Sequence, residues 1–341
     1  MLTETTAFSS TRIETKQVAK TRKENEMINV KFQKGLKAAL ALVCAGTFMV
    51  GLSACGSSSS SSGNEKVALL VSTLNNPFFV DLRDGAKAEA QKLGIDLQVS
   101  DAQNDSATQQ NQAQNAQSQG AKAVIINPVD SDAAASAVAP LLSSKVPVIS
   151  VDRSVTGESV DSHIASNNVA GGAQAADELA KSIGEKGKVI ILQGTPGAAS
   201  TRDRGKGFKD RIKKYSGIQV VAEQTANFDR AEALNVTTNL MQSHPDATGI
   251  YAENDEMLLG GVQALGDKAG KDVKIFGFDG TKDGLKSVAD GKAVGTIAQQ
   301  PKVLGQKAVQ AASKILKGQK VQKTQAIEVK TVTKENVSQF Q

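Results

Sequence analysis

The chain is 341 residues long, with 40% hydrophobic and 22% charged residues, a balance that fits a globular protein with a real core and excludes a wholly disordered chain. Its formal charge of +5 is unevenly placed: residues 1–54 hold eight Lys/Arg against four Asp/Glu, and the remainder holds 32 against 31, so the long remainder lacks the basic footprint of a nucleic-acid binder. Cys44 and Cys55 both precede that remainder, and its two histidines, His163 and His244, are far apart, which excludes an internal disulfide or a Cys/His metal cluster there.

Residues 1–26 are polar and charged, an unusual opening, and Met27 is a second possible start. Lys31, Lys34 and Lys37 then form a basic region before the apolar, small-residue run Ala38–Leu52. This order reads as a secretory signal over residues 27–54, too short for a permanent span. The signal ends in Leu52-Ser53-Ala54-Cys55, which resembles a bacterial lipobox and makes Cys55 the expected lipidated residue. Residues 55–64 close with the serine-rich stretch GSSSSSSGN, a tether composition.

From Lys66 on, apolar runs alternate with helical patterns. Val67–Val71 reads as a buried parallel strand, because it is apolar without alternation. It ends in a loop expected to carry Asn75, Asn76, Phe78 and Phe79, and a helix is predicted over Asp81–Leu93, closed by Gly94. Strand Ile95–Val99, a Gln-rich helix Ala107–Gln119 and strand Ala123–Ile126, ending at Asn127-Pro128, follow. A helix over Ala133–Leu142 is expected to kink or end at Pro140. Strand Val146–Val151 stops at Asp152-Arg153.

After the crossing segment Ile164–Asn168 the pattern restarts. Helix Ala170–Ile183, strand Val189–Leu192, helix Arg204–Lys214, strand Val220–Ala222 and helix Ala231–Gln242 lead to strand Gly249–Ala252, which ends near Asn254. Helix Met257–Leu265 and strand Val273–Phe278, ending at Asp279, come next. A short strand Gly295–Ala298 ending at Gln299, helix Val303–Leu316 and a last strand Ala326–Val332 complete the chain. The βαβ repetition predicts an α/β protein of two similar Rossmann-like lobes, each a parallel sheet flanked by helices. The expected division is residues 65–166 with 300–328 in one lobe and 167–299 with 329–341 in the other, joined by a three-segment hinge.

Ligands of open α/β sheets sit beyond the carboxyl ends of the strands. The residues just past the strands are Asn76, Phe78, Phe79, Asn127, Asp152, Arg153, Phe228, Asn254, Asp279 and Gln299, joined by Arg204 at the expected start of a helix. Carboxylates, guanidinium and amides match sugar hydroxyls, which both donate and accept, and aromatic rings cover the C–H faces of a sugar ring. Taken alone, Asp152-Arg153 reads as a surface ion pair of little worth, and Asn127-Pro128 or Asp279-Gly280 as turn chemistry. Their joint fall at strand ends favours one binding cleft.

Those residues lie in segments whose order resembles the ribose-binding proteins of the sugar ABC-importer family, with the type I periplasmic-binding-protein fold. The segments include STLNNPFF (Ser72–Phe79), VDR (Val151–Arg153), RDRGKGF (Arg202–Phe208), NFDRAEALNV (Asn227–Val236), ENDEMLLG (Glu253–Gly260) and GFDGTKDG (Gly277–Gly284). The resemblance implies a monosaccharide, D-ribose, held by all eleven residues, with Phe78, Phe79 and Phe228 sandwiching it. It further implies no cofactor, no catalysis, an ABC permease and its ATPase as partners, no nucleic acid and a monomer; the lipobox departs from the family's free secretion, and the expected location is the extracytoplasmic face of the cell membrane, through a lipid on Cys55.

Asn167-Asn168 is expected to serve the hinge, and His163 to be structural. Asp101-x-Gln103-x-Asp105 lacks the turn glycine and final Glu of a Ca²⁺ loop, and Gly194–Gly197 matches no phosphate-loop pattern. A LacI-type effector half would need a helix-turn-helix where this chain has a signal and tether. A receptor for another pentose, a hexose or a furanosyl signal molecule is the nearest alternative.

Overall fold

The computed structural model describes residues 65–341; the signal, the lipobox with Cys55, and the serine tether lie outside the described residues. The described part is compact and carries its own hydrophobic cores.

The first lobe is built on a six-stranded sheet of order β11-β5-β4-β3-β1-β2, with every pairing parallel. Its strands are β1 (Lys66–Val71), β2 (Asp96–Asp101), β3 (Ala123–Ile126), β4 (Val148–Val151), β5 (Ser162–Ser166) and, from far along the chain, β11 (Thr324–Ile327). Alternate residues of β1 point to opposite faces. Val67, Leu69 and Val71 pack under α1 (Pro77–Leu93) and α9 (Pro301–Leu316), whereas Ala68 and Leu70 pack under α2 (Ser106–Ser118) and α3 (Ala134–Ser143). Burial on both faces is the reason these strands read as continuous apolar runs.

The second lobe repeats the scheme in the order β12-β10-β9-β8-β6-β7. Its strands are β6 (Lys186–Gln193), β7 (Gly217–Thr225), β8 (Ala247–Ala252), β9 (Lys274–Asp279), β10 (Gly295–Ala298) and β12 (Lys330–Thr333). α4 (Asn168–Ser182) and α5 (Ala199–Ile212) cover one face; α6 (Arg230–Ser243), α7 (Asp255–Leu265) and α8 (Lys282–Ala289) cover the other. Only β12 runs antiparallel to its neighbour.

The chain passes between the sheets after β5, between β10 and α9, and between β11 and β12. Hydrogen bonds tie the passages together: Asn167 N donates to Ile327 O at 2.9 Å, and the Gln300 side chain donates from Nε2 to Glu328 O at 3.0 Å.

The structure corrects several expectations of local structure. The expected loop after β1 is short: Phe78 and Phe79 ride on the first turn of α1, because Pro77 fits the first helical position and the Asn76 side chain caps the Phe78 amide at 2.9 Å. Arg204 lies in the second turn of α5, which begins at Ala199 rather than at the arginine. Helix α3 continues past Pro140 to Ser143. Helix α8 was not expected; Thr281 caps it at Gly284 N, 3.2 Å, which starts a helix that a lone glycine had masked. The single last strand is two strands, parted at Glu328–Val329 and given to different sheets. Among the described residues, no helix is long and apolar enough to cross a membrane.

Candidate functional site

The carboxyl ends of both parallel sheets face one another across a cleft. A narrow cavity lies there, lined by Asn76, Phe78, Phe79, Asp152, Arg153, Ser200, Arg204, Phe228, Asn254 and Asp279. Nine of the eleven residues singled out in the sequence line it. Asn127 and Gln299 do not; they stand behind it and hold the acids. Asn127 Nδ2 donates to Asp152 Oδ2 at 3.3 Å and to Val151 O at 3.2 Å, while its Oδ1 accepts from Ser72 N at 3.1 Å. Gln299 Nε2 donates to Asp279 Oδ1 at 2.7 Å.

The loops that deliver these groups are strained. Asp152 (φ 65°), Phe228 (φ 59°) and Asp279 (φ 130°) occupy backbone regions that side chains rarely adopt, a cost commonly met at functional sites. Asp152 is held there by its amide, which donates to Ile164 O at 2.8 Å. The Phe228 ring packs on Gly194, where an added Cβ would come within 2.0 Å of the ring.

Asp152 and Arg153 are not a surface pair: each is only 3% exposed. Arg153 Nη1 donates to Pro128 O and Val129 O at 3.0 and 3.1 Å, and its guanidinium sits between the rings of Phe79 and Phe228, 5.3 and 5.6 Å from their centres. The Arg204 guanidinium lies over Phe278, 3.9 Å from the ring centre. Its Nε donates to Asn168 Oδ1 at 2.9 Å, its Nη1 donates to Glu253 O at 2.7 Å, and that same nitrogen lies 3.5 Å from Asp279 Oδ1. Phe78 meets Phe79 edge to face, with ring centres 5.2 Å apart. Asn254 caps α7 at Met257 N, 2.9 Å, leaving its amide nitrogen to approach Phe228 O at 3.5 Å.

Two carboxylates and two guanidiniums make the site nearly neutral. Burial pushes the Asp152 carboxyl above its ordinary range, opposed by Arg153 and Arg204. Burial raises Asp279 further, opposed chiefly by Arg204, and burial lowers Arg153. Buried charges are tolerated only with partners, and these have been left incomplete. Asp152 Oδ1, Arg153 Nε and Gln299 Oε1 are buried with no hydrogen-bond partner among the described residues. A neutral molecule rich in hydroxyl groups satisfies both kinds of group; an ion would unbalance the charges.

Four residues escaped the sequence reading. Ser200, buried on α5, lines the cavity beside Arg204. Asn168, assigned to the hinge alone, orients Arg204. Glu253 Oε2 accepts from Gly194 N at 2.8 Å, fixing the seat of Phe228. Asp255 accepts from Thr281 N, Thr281 Oγ1 and Thr296 Oγ1 at 2.7, 3.0 and 2.7 Å, pinning the turn that delivers Asp279. The last two flank Asn254 in a single acidic segment, a signal that was legible but had no evident target before the fold was known.

Two parallel-sheet lobes with a small polar and aromatic cleft between them define the type I periplasmic-binding-protein fold. The chain belongs to the periplasmic binding protein family, whose domain matches residues 67–320. It is 47% identical over 278 residues to the ribose import binding protein RbsB of Salmonella typhimurium, covering 82% of this chain and 94% of that one. The RbsB of Bacillus subtilis is 46% identical over 277 residues, 80% of this chain and 90% of its own. Among solved structures, the Caulobacter myo-inositol binding protein bound to myo-inositol superposes with a TM-score of 0.78 at 34% identity, covering 85% of this chain and 98% of the other.

Proposed function

We propose that this protein captures a monosaccharide, D-ribose, in the cleft and delivers it to the permease of an ABC importer. The observation that carries the reading is the convergence of nine polar and aromatic side chains from both lobes on one small cavity whose buried acids and arginines are incompletely paired. The high identity to ribose import binding proteins supports D-ribose as the sugar. A sugar that contacts both lobes stabilises the state in which they meet, by its differential affinity, and the permease reads that shape. Asp152 and Asp279 accept from ring hydroxyls, Arg153 and Arg204 donate, Asn76 and Asn254 serve both ways, and the three Phe rings cover the C–H faces. The cavity groups suit binding rather than catalysis, since its acids are engaged by arginines and amides.

Calorimetric titration of residues 65–341 with D-ribose, other pentoses, hexoses and myo-inositol tests this. Selective ribose binding at micromolar Kd or better, about −8 kcal/mol, is expected. Preference for another sugar would keep the mechanism and discard ribose. The solved relatives that hold myo-inositol or D-allose on the same fold favour no other single sugar but make that comparison necessary.

The protein is further read as a monomer anchored to the extracytoplasmic membrane face through a lipid on Cys55. Cys55→Ser is expected to shift it from the membrane to the soluble fraction; a variant still extracted only with detergent would refute the anchor.

A further inference from the structure

All six strands of the first lobe run parallel, so the loops that enter them gather at one pole, opposite the cleft. Lysine recurs there. Lys66 opens β1, Lys122 precedes β3, Lys145 precedes β4, and Lys317, Lys320 and Lys323 occupy the passage from α9 to β11. All but the half-buried Lys66 are exposed. The acids at the same pole are fewer: Glu65, Asp96 and Asp161, the last already accepting from Val148 N at 2.8 Å. None of the six lysines has a carboxylate within ion-pair distance among the described residues; Lys66 Nζ reaches only Gln119 O, at 3.4 Å. The equivalent pole of the second lobe also carries lysines, but acids are interspersed among them: Glu185, Asp246, Asp267, Asp272 and Asp290 lie in its entry loops, with Lys188 on Asp246 at 2.6 Å and Lys213 on Asp210 at 3.7 Å.

A second observation concerns where the chain enters. The described residues begin at Glu65, at this same pole. Nine residues lie between Cys55 and Glu65, and the ten residue steps span at most about 36 Å when fully extended. We infer that the lysine pole of the first lobe docks on an anionic phospholipid surface. Lysine ammonium groups close to such a surface are attracted to it within about a Debye length. Docking by this pole leaves the cleft, at the opposite end of the sheet, unobstructed. The inference rests on the anchor reading only for the high local concentration of lipid; the charge pattern stands without it.

The test separates the two. The fragment 65–341, which holds both complete sheets and all four described cores, carries no lipidation site and is mixed with sedimenting vesicles. Expected are binding to vesicles of phosphatidylcholine with 30 mol% phosphatidylglycerol (~30%, within the anionic range that attracts basic clusters), no binding to pure phosphatidylcholine, and release by high salt. The triple variant Lys317→Glu, Lys320→Glu, Lys323→Glu is expected to lose at least about tenfold in partition while its sugar titration is unchanged. Failure of the fragment to bind anionic vesicles, or equal binding by the triple variant, would overturn the inference. Failure of the anchor would show instead as a full-length protein that high salt alone, without detergent, releases from membranes.

Discussion

Asp279 concentrates the conflict that defines the site. It is buried in strained backbone, pushed up by burial, and held between Gln299 and Arg204. Removing it leaves a buried guanidinium and an amide without their partner. Asp279→Ala is therefore expected to weaken sugar binding by about 3 kcal/mol or more, over a hundredfold in Kd, with the far-UV circular dichroism of the wild type retained. Unchanged affinity by calorimetry would remove Asp279 from the site. Glu253 shows the converse, a buried acid outside the cavity lining. Burial raises its carboxyl from 4.5 to about 8, opposed by the Gly194 amide, Arg204 and Lys209 and reinforced by Glu223. A folded-state pKa above the unfolded one means the folded protein holds the proton more tightly. Its contribution is then intact below about pH 4.5 and is lost as pH rises toward 8, with a slope of at most about 1.4 kcal/mol per pH unit. Glu253→Gln is expected to flatten that slope in urea titrations between these limits while still accepting from Gly194. Parallel slopes for the two proteins would show that Glu253 stays ionised.

At the scale of elements, close helix crossings set the lobe geometry. Gly305 of α9 lies against α1 so tightly that an added Cβ would come within 2.0 Å of Leu82 O, and Gly85 of α1 would meet Lys302 O at 2.2 Å. Backbone cannot yield as a side-chain tip can. Gly305→Ala is expected to cost about 1–3 kcal/mol of stability by overpacking, read as a lower denaturation midpoint with the slope unchanged. A midpoint equal to wild type would mean that the two helices separate freely. These crossings matter for function because α1 carries Phe78 and Phe79 on its first turn, so a shift of α1 moves two walls of the cleft.

The whole molecule works through the meeting of its lobes. Ser131, in the first lobe, donates its amide to Gly197 O at 3.0 Å and accepts from Ala199 N at its hydroxyl at 3.1 Å. Thus the loop that starts α5, and with it Ser200 and Arg204, is latched across the cleft by neutral bonds beside the charged cavity. A sugar bound between the lobes adds its free energy to this latch. Saturation at a hundred times Kd is expected to raise the unfolding free energy by about 2.7 kcal/mol, measured as a shift in Tm that grows with the logarithm of sugar concentration. A sugar that binds by calorimetry but leaves Tm unmoved would show that it does not select the folded, lobes-together state.

Much of this was legible before any fold was seen. Apolar runs without alternation marked strands buried on two faces, and the polar residue that stops each run, Asn76, Asp152, Asn254 or Asp279, marked the cleft, because a parallel sheet brings all its carboxyl ends to one side. The residues that were missed have a common cause. Glu253, Asp255 and Asn168 act on partners 59, 26 and 36 residues away, and no local pattern announces a partner at such a distance. The capping that drew Phe78 and Phe79 onto α1, and the division of the last strand between two sheets, likewise depend on which surfaces are near. Composition, periodicity and strand-end chemistry are local properties of a chain, and they determined its class and nine walls of its cavity. Register across the cleft, the support behind each charge, and the lysine pole opposite it are relations between distant segments, and only packing decides those.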